Sequence, residues 1–273
     1  MEFHPLCIKV IDTPEFQRLR NIRQLGLTHL VYPSAAHSRF EHSLGVCHLA
    51  GLMIDVLKKN NPSINITDEE KLCVQIAGLC HDLGHGPFSH LWEDFLRKRE
   101  KVWRLPIKRE KSFQHEDQSI KMFDHLLEKN DLIDDFNSFK LHEREIRFIK
   151  DLILGDGEPL DPKKQYLFQV VNNKINDIDV DKWDYYLRDG LHLNLKFSFD
   201  YTRMMNFIKI MPIPEEENKE VLVFKEKEAY SIYEMFNVRA KIHFAAAQHK
   251  VVLVLNEMLL DALCAADDHL LGG

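Results

Sequence analysis

The sequence predicts an all-α fold carrying one small β-hairpin. Three observations carry this. Two capping boxes open long segments, those segments hold apolar residues on one face at helical spacing, and a single pair of short stretches about an acidic turn reads as strand.

In chain order, Ser38-Arg39-Phe40-Glu41 is the first capping box. The helix it opens buries Val46, Leu49, Ala50, Met53 and Leu57, and stops at Asn60-Asn61-Pro62. Thr67-Asp68-Glu69-Glu70 is the second box. Its helix buries Leu72, Ile76, Leu79 and Leu83, with Cys73, Ala77 and Cys80 beside them, and is expected to end at Gly84. Ser112 is read as the cap of a third helix through Phe123, Leu126 and Leu127. Residues 144–154 and 164–173 form shorter helices, separated by Gly155-Asp156-Gly157-Glu158-Pro159. A helix runs from Asp179 to Asp189 and stops at Gly190. Residues 206–214 and 220–225 make the hairpin around Glu215-Glu216-Glu217-Asn218, and a helical stretch in two pieces covers 227–263. The basic run Arg97, Lys98, Arg99, Lys101, Arg104, Lys108, Arg109 and Lys111 reads as a solvated loop, contact with a partner or nucleic acid being the alternative.

The 273 residues fit one large domain, expected over 1–273. With 45% apolar and 29% charged residues, general disorder is excluded. A net charge of −7 argues against a long polyanion partner but not against a small anionic substrate met by local cations. The five cysteines include no CxxC pair, and Met1-Glu2-Phe3-His4-Pro5 lacks a basic and apolar leader, so a reduced intracellular setting is expected. No uninterrupted apolar run reaches the ~18 residues of a membrane span, so no membrane partner is expected.

Chemistry concentrates in His42, the adjacent pair His81-Asp82, and Asp181. Each lies near a predicted helix end, so separate helices can converge on one point. Two imidazoles and two carboxylates suit a divalent ion such as Mn, Fe, Zn or Mg and leave coordination positions for water and phosphate oxygen. The pair follows the apolar segment Ile76-Ala77-Gly78-Leu79-Cys80, where burying two ionisable groups is costly without a compensating ion. The Gly84–His90 loop places His85 and His90 beside them, and His115 follows. Imidazoles near a phosphate can donate hydrogen bonds or a proton. Lys182, Tyr185 and Asp189 share one helix face, and Arg239, His243 and Ala247 another, at i, i+4, i+8. Such cations suit a polyphosphate, the alternative being ordinary exposed helix charges.

Several words carry a narrower resemblance: Asp12 to Arg20, Ser38 to Gly45, Gln75 to His90 and Ile178 to Tyr185. They resemble the SAM- and HD-domain-containing deoxynucleoside triphosphate triphosphohydrolases, a family of the HD superfamily, over nearly all of the chain. The resemblance implies an HD-domain helical bundle that hydrolyses a dNTP to deoxynucleoside and inorganic triphosphate. It implies one divalent metal (Fe, Mn or Zn) on His42, His81, Asp82 and Asp181, with Mg accompanying the triphosphate. Arg39, His85, His90 and His115 would surround the α-phosphate, His90 protonating the departing 5′-oxygen. Lys182, Arg239 and His243 would contact phosphates, Gln24 and Leu25 sugar and base, and Tyr185 and Asp189 the ribose. Asp12, Gln17 and Arg20 match positions that read a guanine activator, GTP or dGTP, coupled to homo-oligomer assembly as dimer or tetramer. Tyr233 and Met235 flank the oligomer region, but their helical spacing reads as core. A location in nucleus or cytosol follows, the nucleus by resemblance alone.

Ala247 stands where the family has a tyrosine beside the sugar, and Glu93 where it has an aspartate. Relative to the family the sequence reads as truncated at both ends and without the SAM domain. Two other readings stay open from the residues: an HD phosphohydrolase on another nucleotide, and a catalytically weak nucleotide- or nucleic-acid-binding regulator.

Overall fold

The computed structural model describes residues 1–102, 113–197, 199–213 and 219–267. Ser112, Arg104 to Lys111 of the basic run and the Glu215–Asn218 turn lie outside the described residues.

Two short helices, α1 (Pro5–Ile11) and α2 (Pro14–Gln17), start on prolines, whose fixed φ and missing N–H suit a first turn. The central helix α3 (Arg39–Asn60) begins where predicted, the Glu41 carboxylate accepting from the Ser38 amide at 3.0 Å. It packs on α4 (Asp68–Cys80), whose Thr67–Glu70 capping box closes at 3.1 and 2.8 Å. By length and composition α3 could cross a membrane, although no uninterrupted apolar run marks it. In this fold 67% of its most apolar window is buried, and it is the core helix.

Around this pair lie α6 (His115–Lys129), α7 (Ile133–Ser138), α8 (Glu143–Leu154) and α10 (Val180–His192). Phe123, Phe136, Phe148, Trp183 and Tyr186 fill the core between them. A second, smaller core joins α5 (His90–Val102) to α13 (Lys250–Ala265) through Leu91, Phe95, Leu96 and Leu260. The short α9 (Phe168–Val171), α11 (Tyr201–Asn206) and α12 (Ala229–Ile242) complete the bundle. β1 (Lys209–Pro212) pairs antiparallel with β2 (Glu220–Val223), Ile210 opposite Leu222, shorter than the predicted strands.

Five expectations are corrected. Helix α4 ends at Cys80, not Gly84, because side chains take over its last hydrogen bonds: Gly78 O pairs with His81 Nδ1 at 2.8 Å, and Ser119 Oγ donates to His81 O at 2.5 Å. Residues 164–173 divide into a 3-10 turn (Pro162–Leu167) and α9, because Lys164 is pulled out of helical geometry into a buried pair with Glu70 at 2.8 Å. Helix α10 runs past Gly190, whose bare Cα admits the Phe197 ring rather than stopping the helix. Arg97 to Val102 are not loop but the end of α5, fixed by the apolar stripe Leu91, Phe95 and Leu96. Tyr233 is exposed while Met235 is core, since α12 turns only one face inward. Of the cysteines, four are buried and Cys264 is half-buried, all free.

Two glycines bring the site together. A Cβ on Gly45 of α3 would overlap the Asp184 carboxylate of α10. One on Gly84 would overlap the backbone of His115 and Ser119 at the start of α6. Gly84→Ala is therefore expected to lower stability by about 1–3 kcal/mol, read by thermal unfolding. An unchanged melting temperature contradicts that close approach.

Candidate metal and phosphate site

His42 sits in the first turn of α3, His81-Asp82 in the turn after α4, and Asp181 in the first turn of α10. The three helices meet there. His42 Nε2 lies 2.9 Å from Asp181 Oδ1 and 3.6 Å from Asp82 Oδ2, and His81 Nε2 lies 3.4 Å from Asp181 Oδ1 and 3.5 Å from Asp82 Oδ1. Donors held about 2.1 Å from one ion are separated by about 3.0–3.4 Å, so His42, His81 and Asp82 fit a divalent ion with little movement, and Asp181 stands against both imidazoles. His81 Nε2 supplies the independent mark of fit: it is buried and, among the described residues, has no hydrogen-bond partner of good geometry.

The outer nitrogens of both rings are fixed. His42 Nδ1 pairs with Asp184 Oδ2 at 2.8 Å, and His81 Nδ1 with Gly78 O at 2.8 Å, which turns both Nε2 atoms toward the cluster. Arg188 clamps Asp184 in turn, donating from Nε and Nη2 at 2.8 Å each. Arg39 Nη1 donates to Asp82 Oδ2 at 2.7 Å; burial opposes the Asp82 charge, but Arg39 and the neighbouring imidazoles hold its pKa well below the usual carboxylate range. Burial likewise opposes a charge on His42, yet Asp181 and Asp184 overcome it and push its pKa up to about 10.

The last shift has a consequence. At neutral pH His42 carries a proton that must leave before its imidazole can ligate. Metal affinity is therefore expected to rise with pH, about tenfold per unit per displaced proton, levelling off near pH 10. Calorimetric titration in buffers of different ionisation enthalpy reads the released protons. A pH-independent affinity contradicts it.

Beside the cluster lies a second group. His85 and His115 stack at 4.0 Å between centroids, and His90 meets them edge-on at 4.9 and 5.4 Å. Glu93 Oε1 accepts from His90 Nδ1 at 3.1 Å and from His115 Nδ1 at 3.0 Å, so the longer acid still reaches both rings. Burial, then Arg39, pushes the His85 pKa well down, so that ring is neutral. For His115 burial works the other way from its partners, and Glu93 prevails, raising its pKa.

Both groups open into one cavity of about 520 Å³, a size typical of small-ligand sites. Gln24, Leu25, Lys182, Tyr185, Asp189, Arg239 and His243 all line it, as does Ala247. Arg239, His243 and Ala247 do not share one α-helical face, however: α12 ends at Ile242, and residues 243–247 form a π turn, which still delivers all three to the cavity. Asp12, Gln17 and Arg20 are not among the lining residues; Arg20 Nε donates to Gln17 Oε1 at 2.7 Å and its guanidinium sits 3.5 Å above the Phe40 ring.

Sequence reasoning missed five supports. Asp184 and Arg188 follow Asp181 at helical spacing, which was the available signal. Asp177 lines the cavity and pairs with Lys182 at 3.5 Å and Arg239 at 3.8 Å. His37 holds Asp189 at 2.6 Å. Arg18 Nη1 donates to His85 O at 3.0 Å, anchoring the loop, and no local signal marks it.

The sequence profile of the HD-domain family matches residues 39–189. The chain is 44% identical over 284 residues to the deoxynucleoside triphosphate triphosphohydrolase SAMHD1 of Bos taurus, covering 99% of this chain and 46% of that protein. It is 42% identical over 283 residues to the Homo sapiens protein of the same name (99% and 44% covered) and 40% identical over 270 residues to the Dictyostelium discoideum homolog (99% and 48%). The chain thus spans about half the length of the curated relatives it matches.

Proposed function

The chain belongs to the HD-domain family, and from that premise we propose that it hydrolyses deoxynucleoside triphosphates to deoxynucleoside and inorganic triphosphate. The relatives that carry this activity in their names support the reading. The observation that carries it is the meeting of a His/Asp ion cluster, three cations and a histidine group in one cavity.

His42, His81, Asp82 and Asp181 hold a divalent ion, which when bound supplies Lewis acidity to a phosphoryl oxygen and lowers the pKa of a water. Arg39 keeps Asp82 ionised and faces the α-phosphate. Lys182, Arg239 and His243 bind the phosphate chain, the two cations exchanging Asp177 for phosphate oxygens. Asp82, Asp177, Asp181, Asp189 and Glu116 face the same cavity, so the side chains alone offer no surplus of positive charge for a triphosphate. That balance favours a substrate that arrives with its own magnesium. Gln24 and Leu25 flank sugar and base, and Tyr185 with Asp189 takes the ribose. His90, the most open of the three histidines, gives the proton to the departing 5′-oxygen, its ring held by Glu93. Asp12, Gln17 and Arg20 are the contacts for a guanine nucleotide activator, GTP or dGTP. The exposed Leu253, Val254 and Met258 of α13 support a homo-oligomer, and residues 1–273 are read as one HD phosphohydrolase domain.

A panel of dGTP, dGMP and a simple phosphodiester, with Mn²⁺ and Mg²⁺ and with or without GTP, tests the substrate class. Turnover of the triphosphate alone is expected, and preference for the monophosphate or diester contradicts it. Ala247 is small and exposed in the cleft, where a larger ring would crowd the sugar. Ala247→Tyr is expected to raise discrimination of dGTP over GTP by roughly tenfold to a hundredfold in kcat/KM. An unchanged ratio removes this position from sugar recognition.

A further inference from the structure

We propose that His85, His90, Glu93 and His115 form a second cation site, for a zinc-class transition ion, whose occupation silences these side chains in proton transfer. One donor atom from each lies within 4.8 Å of all the others. Glu93 Oε1 is 3.1 Å from His90 Nδ1 and 3.0 Å from His115 Nδ1, close to the ~3.3 Å edge of a tetrahedron built on bonds of ~2.0–2.1 Å.

His85 gives the independent indication. It is 1% exposed, and among the described residues neither ring nitrogen has a hydrogen-bond partner of good geometry. The nearest charged oxygen, Asp82 Oδ1, is 3.3 Å from Nε2 without bonding geometry. An unpaired buried polar group is unfavourable by about 1–3 kcal/mol, and an ion among these four side chains would relieve it.

The donor set chooses the ion. Three imidazoles and one carboxylate suit zinc, cobalt or copper and offer little to magnesium, which prefers an all-oxygen octahedron. Magnesium carried in by a nucleotide would not displace it. His90, with a side chain 66% exposed, is the entry side. Against the site stand the helix N-termini that carry His90 and His115, whose dipoles disfavour a cation, and Arg39 nearby. The second site is therefore the weaker of the two.

A His90 ring that gives Nδ1 to an ion can no longer be an imidazolium, and the proton left on Nε2 belongs to a far weaker acid, so filling the quartet stops turnover. This inhibitory half rests on the proposed function; the binding half does not. Equilibrium dialysis of the folded protein against Zn²⁺ in excess Mg²⁺, with zinc per chain measured by mass spectrometry, separates them. Wild type is expected to take two equivalents, the second weaker, and both His90→Gln and Glu93→Gln to take one. His90 is exposed enough that its variant folds even if the Glu93 variant does not. One equivalent in wild type, or two in the variants, overturns the site. Zinc that fills the second equivalent while dGTP turnover continues unchanged overturns the inhibitory role.

Discussion

Alanine at both His81 and Asp82 is expected to abolish dNTP turnover and divalent-ion binding at the His/Asp cluster together. Two of the four donors disappear, and the remaining His42 and Asp181 close on each other at 2.9 Å as an ordinary ion pair. Loss of the ion's contribution corresponds to a drop on the order of 10⁴-fold or more, about 5.5 kcal/mol of transition-state stabilisation. The double change also strips Arg39 of its buried partner, and breaking such a pair typically destabilises by about 3–5 kcal/mol. Asp82→Asn is the companion that keeps the shape and an acceptor for Arg39, and it is expected to fold and still lose activity. Turnover retained in a folded double variant contradicts the ion assignment.

His90→Gln is expected to lower kcat by about 10²–10⁴-fold with KM nearly unchanged, because a proton donor acts on the transition state and not on binding. The pH profile distinguishes this from a structural defect. A donor works only while protonated, so the wild-type rate falls on the alkaline side, and His90→Gln loses that dependence. Glu93→Gln changes the profile in a different way. Burial favours a neutral His115, and the Glu93 carboxylate is the leading interaction that keeps it charged; without that carboxylate His115 deprotonates at lower pH. An alkaline limb is expected to persist in Glu93→Gln, because His90 is still present, with a further loss of rate at lower pH as His115 gives up its proton. A parallel loss at all pH values in both variants contradicts the proton-transfer role.

The parts of the fold written in short stretches were legible. Both capping boxes and the stripes behind them follow local spacing, and α3 and α4 begin where those residues place them. The four ion-cluster residues were legible for a related reason: each is anchored to a recognisable helix end. The misreadings have a common physical origin in partners distant along the chain. Helix α4 stops early because Ser119, 38 residues away, takes the His81 carbonyl. Asp184 looks like one more helical acid until the fold sets it 2.8 Å from His42, 142 residues earlier. The basic residues of α5 hid its apolar stripe, whose partner Leu260 lies on α13. The π turn at 243–247 left no local mark, since alanines fit an α-helix equally well.

Hydrolysis of dGTP in ¹⁸O-labelled water, with products resolved by ³¹P NMR, tests the central claim most directly. Inorganic triphosphate carrying the label on its terminal phosphorus, together with unlabelled deoxyguanosine, is the predicted result, because water then attacks the α-phosphorus and the 5′-oxygen leaves. Release of dGMP with pyrophosphate, of dGDP with phosphate, or of label in the nucleoside would contradict it.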